Sequence, residues 1–96
     1  MKIICIGRNY QDHAKEMNSK PSENPVFFLK ADSCLEKGTR PFFIPDFSND
    51  LHYEAEIVIR ICKVGKSIDE KFAHRYYDSL TVGIDFTARD LQSICK

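Results

Sequence analysis

The stretch Leu51-His52-Tyr53-Glu54-Ala55-Glu56-Ile57-Val58-Ile59-Arg60-Ile61 constrains the fold more than any other part of this chain. Read as a strand, it places Leu51, Tyr53, Ala55, Ile57, Ile59 and Ile61 on one face and His52, Glu54, Glu56, Val58 and Arg60 on the other. The first face is ready-made core. On the second, two carboxylates lie one pleat apart, roughly 6.5–7 Å between Cα atoms, and repel each other unless positive charge is near. A divalent cation would supply that charge. Arg60 and nearby lysines would also supply it on the wet face of an antiparallel strand, and the stretch taken alone favours this solvated reading.

The rest of the chain bounds what such a strand can belong to. Ninety-six residues make at most one small domain, in which a deep enclosed site is hard to build. The formal net charge is zero, with acids and bases interspersed, which argues against a nucleic-acid surface or a polybasic membrane anchor. Small polar or anionic substrates stay open. Cys5, Cys34, Cys62 and Cys95 include no C-x-x-C pair and three of them sit in apolar surroundings, so they read as buried free thiols of a reducing cytosol rather than a disulfide framework or zinc site. The apolar run at Ile3–Ile6 is too short for a signal peptide, and no stretch approaches a membrane span. A soluble, cytoplasmic protein is expected.

Strands and helices interleave along the chain. Residues 3–6 form a short apolar strand broken by Gly7, and a helix capped by Asn9 follows, with Tyr10, Ala14 and Met17 on its apolar face. Asn18 to Pro25 is a polar loop, and Pro25 to Lys30 a second strand. Residues 31–40 are irregular, with a turn at Gly38-Thr39. Pro41 to Pro45 suits an edge strand, and Asp46 to Asp50 a turn into the long strand. Ser67 and Glu70 have capping-box spacing, which predicts a helix over 68–78, before an apolar strand over 80–86 interrupted by Asp85. Thr87 and Asp90 repeat the capping spacing ahead of a last helix from Ala88 onward. The pattern is α+β with a β-rich middle.

Several residues carry candidate chemistry, each with an ordinary alternative. Asp85 is either a turn acid at a strand exit or a charge with a specific partner. Together, Glu54, Glu56 and Asp85 could supply the hard oxygen donors that suit Mg²⁺, Mn²⁺ or Ca²⁺ rather than zinc. His13 and Glu16 are three apart: a carboxylate that fixes the imidazole tautomer leaves the other nitrogen free to take a proton, although most such pairs are plain helix surface. His52 shares the face of the two glutamates and reads as exposed or as a supporting residue, and His74 as a wet-side residue. Arg89 and Gln92 sit where a helix start favours an anion, with solvated surface as the usual alternative.

As a set, these pieces resemble a known family. Gly7-Arg8-Asn9-Tyr10 with His13 and Glu16, then Pro25 to Lys30, then His52-Tyr53-Glu54-Ala55-Glu56, then Gly83-Ile84-Asp85-Phe86-Thr87-Ala88-Arg89-Asp90-Leu91-Gln92, is similar to the N-terminal half of the fumarylacetoacetate hydrolase catalytic domain. The likeness is nearest to small members that act as acylpyruvate hydrolases, oxaloacetate decarboxylases, or isomerases of the 2-hydroxyhepta-2,4-diene-1,7-dioate type. It implies an α+β, β-rich mixed-sheet roll of that family's type, incomplete here, with residues 1–96 as the N-terminal portion of one catalytic domain. Glu54, Glu56 and Asp85 then match ligands of Mg²⁺ or Mn²⁺, with Ca²⁺ as another occupant. His13 and Glu16 match a water-activating pair, and Arg89 and Gln92 match positions lining the substrate site.

The implied substrate is a small anionic 2-oxo acid. The implied chemistry is hydrolytic C–C cleavage through a metal-stabilised enolate, or decarboxylation or isomerisation through the same enolate. The family domain is about twice this length and continues past Gln92 to a lysine near the substrate. Core faces that lack those partners predict oligomerisation, a homodimer being the expected assembly, or poor solubility. An answer of a different class is a truncated, inactive chain that serves as a binding or assembly module.

Overall fold

The computed structural model describes residues 1–10, 15–16 and 24–95. They fall into two compact units, Met1–Pro41 and Phe42–Lys96. Among the described residues the regular structure is mostly strand, in two small antiparallel sheets with little helix.

In the first unit the β-branched run forms β1, Ile3–Gly7, which pairs with β2, Val26–Lys30, from Ile3 opposite Lys30 to Gly7 opposite Val26. The strand ends as the sequence predicts. The left-handed backbone falls on Arg8 (φ 54°) rather than on Gly7. A short 3₁₀ turn, Asp32–Cys34, follows β2, and the N-terminal amine lies 3.7 Å from the Asp32 carboxylate. Gly38 adopts φ +98° at the predicted turn, a conformation that glycine reaches without steric cost. The helix predicted after Asn9 lies outside the described residues, except for Lys15 and Glu16, which are helical.

The second unit is built on β3, Leu51–Ile61, paired antiparallel with β4, Tyr77–Ala88. Leu51 faces Ala88, and the register runs unbroken to Arg60 opposite Ser79 before shifting so that Ile61 faces Tyr77. The extra residue, Asp78, takes a two-pronged ion pair from Arg60: Nε donates to Oδ1 at 2.7 Å and Nη2 to Oδ2 at 2.8 Å. Arg60 is therefore engaged at the bulge with Asp78. Helix α1, Arg89–Cys95, closes the unit and touches both strands.

Four expectations are corrected. Pro41 to Pro45 forms no strand; proline offers no N–H to a ladder, and Phe42 instead stacks flat on Phe86, with ring centroids 3.7 Å apart. The helix predicted over 68–78 is a 3₁₀ helix over Glu70–Arg75, held by i→i+3 bonds from Phe72 N–H to Asp69 O and from Tyr76 N–H to Ala73 O. Ser67 does not cap it, because its backbone is left-handed (φ 52°), and pairing of β4 from Tyr77 onward ends the helix early. Thr87 does not cap α1 either, because β4 runs on and Thr87 pairs with His52.

The fourth correction concerns burial. The face expected to be core, with Tyr53, Ile57, Ile59, Leu80, Val82 and Ile84, is exposed: Ile57 is 65% and Val82 73% accessible. Glu54, Glu56 and Asp85 are half-buried on the opposite face.

Candidate active site

Strand pairing assembles the candidate site. Glu54 lies directly opposite Asp85, and Glu56 opposite Gly83. Directly paired residues share a sheet face, so Glu54, Asp85 and Glu56 stand on one side of the hairpin, with cross-strand neighbours about 5 Å apart at Cβ. A Cβ on Gly83 would come within 2.9 Å of Val58 Cγ2, so the position facing Glu56 has no room for a larger residue without adjustment. Asp85 is not a turn acid at a strand exit; it sits within β4 with a carboxylate as its register partner.

Arg89, from the first position of α1, supplies positive charge. Its guanidinium donates from Nη2 to Glu54 Oε1 and from Nη1 to Gln92 Oε1, the latter at 2.7 Å. With side-chain exposures of 11% for Arg89 and 27% for Glu54, this pair is largely withdrawn from solvent. A solvated helix surface is therefore the wrong description of Arg89. Part-buried charge-assisted bonds are worth about twice their neutral counterparts, and breaking one side leaves an uncompensated charge.

A second layer holds Arg89 in place, and the sequence patterns did not reveal it. Ser48, 8% exposed, donates from Oγ to Asp90 Oδ1 at 2.7 Å, and the Asn49 N–H donates to Asp90 Oδ2 at 3.0 Å. The Arg89 N–H donates to Asp50 O at 2.8 Å. The start of β3 is thus tied to the start of α1 beside Arg89. The Asn49 N–H, followed by the Ser48 hydroxyl, holds the Asp90 carboxyl below its ordinary range. The only signal for this in the sequence was an acid in the first turn of a helix, which capping spacing explained too readily. His52 is half-exposed and bonds through Nε2 to Asp50 Oδ1 at 2.9 Å, and His74 is exposed, as predicted.

The donor set suits a hard cation by type: three carboxylates on one sheet face match Mg²⁺ or Mn²⁺. Among the described residues, however, no group of three His, Cys, Asp or Glu side chains closes around a common point. The cation now beside Glu54 is the Arg89 guanidinium. Glu16 lies in the first unit, and His13 lies outside the described residues.

A model of the fumarylacetoacetate (FAA) hydrolase C-terminal domain matches residues 2–96. The chain belongs to the fumarylacetoacetate hydrolase family. Over 96 residues it is 47% identical to the mitochondrial oxaloacetate decarboxylase of Dictyostelium discoideum, covering 99% of this chain and 44% of that protein. It is 39% identical over 94 residues to the mitochondrial oxaloacetate tautomerase of Mus musculus, covering 98% and 42%. The crystal structure of a fumarylacetoacetate isomerase/hydrolase family protein from Oleispira antarctica superposes with a TM-score of 0.87 at 35% identity, over 96% of this chain and 41% of that one. A Burkholderia cenocepacia protein assigned as a fumarylpyruvate hydrolase gives 0.80 at 39% identity, over 97% and 39%. This family chain therefore spans less than half the length of these relatives, and its β-rich architecture is that of the family. No helix among the described residues is long and apolar enough to cross a membrane.

Proposed function

We propose that this chain carries the metal-holding and substrate-positioning residues of a divalent-metal-dependent enzyme acting on small anionic 2-oxo acids. The observation that supports this reading is the β3–β4 register, which sets Glu54 against Asp85 with Glu56 on the same face. Glu54, Glu56 and Asp85 would hold Mg²⁺ or Mn²⁺, with Ca²⁺ an alternative occupant of an all-oxygen set. When bound, the cation supplies Lewis-acid stabilisation of negative charge developing on a keto oxygen. Arg89, held by Gln92 and paired with Glu54, would supply positive charge beside the carboxylates that favours an anionic substrate. Glu16 would fix the tautomer of His13, which takes up the proton that the reaction moves.

Oxaloacetate is the substrate favoured by the names of the relatives, through decarboxylation or tautomerisation. Hydrolysis of an acylpyruvate-type C–C bond is the second reading, supported by the likeness to the Burkholderia cenocepacia protein. A reducing compartment suits the four free cysteines, of which Cys34, Cys62 and Cys95 are exposed rather than buried as the sequence suggested. The cytoplasm is the location proposed, although the relatives named above are mitochondrial.

The test is turnover of oxaloacetate and of an acylpyruvate by the full-length protein, with Mg²⁺ and after EDTA, alongside calorimetric titration of Mg²⁺ with oxalate. Glu56→Gln is expected to weaken Mg²⁺ binding by about 10- to 100-fold or more. Unchanged affinity in that variant would remove Glu56 from the ligand set. Metal binding without turnover of either substrate would instead favour the binding-module reading.

A further inference from the structure

At the other end of the β3–β4 hairpin lies a pocket unrelated to the carboxylate face. It is an open depression of about 390 Å³ between the connection after β3 and the 3₁₀ helix. Lys63, Lys66 and Arg75 line it, with Asp69 as the one lining acid. Asp69 is already engaged by Lys71, 3.6 Å away. Among the described residues, no carboxylate forms an ion pair with Lys63, Lys66 or Arg75. Three like charges around one concavity repel one another until an anion enters.

Two of the cations are also held in position. The Arg75 guanidinium lies 4.7 Å over the Phe72 ring and the Lys63 ammonium 5.4 Å over the Tyr76 ring. Seating on an aromatic face leaves the edge N–H groups of the guanidinium available for oxygen acceptors. Ser67, on the lining, holds a left-handed backbone (φ 52°) that an L residue adopts at a cost, and such strain concentrates at ligand clamps. Gly65 makes room behind it: a Cβ there would stand 2.2 Å from Ile68 Cδ1 and 2.5 Å from Tyr76 Cε1.

From this arrangement we infer that the pocket lined by Lys63, Lys66, Ser67 and Arg75 binds a small multivalent oxyanion, a phosphate ester or a polycarboxylate. Ile61, beside the pocket, is seven residues from Glu54, about 23 Å along an extended strand, so the anion bound here is not the substrate of the carboxylate site. Its role is that of an effector or an anchoring group.

Two probes, inorganic pyrophosphate and citrate, distinguish the two sources of such an anion. In calorimetric titrations of the full-length protein at low ionic strength, one equivalent of at least one probe binds saturably, and the tighter probe identifies the class. Arg75→Gln and Lys66→Gln each weaken binding by about tenfold, Arg75→Lys weakens it less, and Lys2→Gln in the first unit leaves it unchanged. Circular dichroism of each variant establishes that the fold is retained; Lys66 is exposed, so its variant carries the test if Arg75→Gln unfolds. Absence of saturable binding for both probes, or equal weakening by Lys2→Gln, overturns the inference.

Discussion

Asp90 illustrates how a single residue organises the candidate site without belonging to its carboxylate triad. Bonds from Asn49 N–H and Ser48 Oγ depress its carboxyl pKa in the folded state. A depressed carboxylate contributes stability that is present above its unfolded pKa, about 3.9, and lost as pH falls through the folded value. The difference in melting temperature between wild type and Asp90→Asn is therefore expected to shrink as pH is lowered from about 5 to about 2. A gap that stays constant across that range would show that charge is not what ties β3 to α1. Asp78, depressed chiefly by the Arg60 bond at the bulge, follows the same sign and adds to the acid limb of the wild-type curve. The candidate residues could be picked out in the sequence, Asp85 because it interrupts an apolar strand and Glu54 and Glu56 because two carboxylates share one strand face. Ser48 and Asp90 were not, because their significance is a contact across more than forty residues.

Elements were predictable where one physical signal dominated. The period-two stretch became β3, Leu51–Ile61, and the apolar run at Ile3 became β1. Signals that competed with strand pairing failed. Ser67 and Thr87 had the right spacing for caps, yet the first adopted a left-handed backbone and the second joined the β4 ladder. Gly65 matters here for space rather than for conformation. Gly65→Ala brings a methyl group into Ile68 and Tyr76, and although Ile68 can rotate its terminal carbon away, the Tyr76 ring cannot yield as easily. We expect a loss of about 1–3 kcal/mol in urea unfolding, of the size typical for overpacking. A change below about 0.5 kcal/mol, as at ordinary surface positions, would mean that the 3₁₀ segment moves freely enough to absorb the methyl group.

For the whole molecule, the decisive feature is the inversion of burial in the second unit. One face of β3–β4 carries Ile57, Ile59, Leu80, Val82 and Ile84 in the open, while the acidic face is partly covered. Large contiguous apolar patches on a surface mark sites of association. The 96-residue chain is accordingly expected to self-associate in sedimentation velocity runs, and the paired change Ile57→Lys with Val82→Glu to shift it toward monomer. Ile57 and Val82 are register partners, so the new charges attract across the ladder and the hairpin is retained. A wild-type chain that remains monomeric at every concentration would refute this.

The sequence by itself determined the family and the strand that carries Glu54 and Glu56, because motif order, alternation and local composition are written in consecutive residues. It did not determine which charges meet. Arg60, a natural candidate to screen the glutamates, was drawn to Asp78 by a bulge, and Arg89 was brought to Glu54 by a knot between Ser48, Asn49 and Asp90. It also did not show which face would be covered. That depends on what packs against the sheet, and pairing across chain distance is decided only when the strands fix their register.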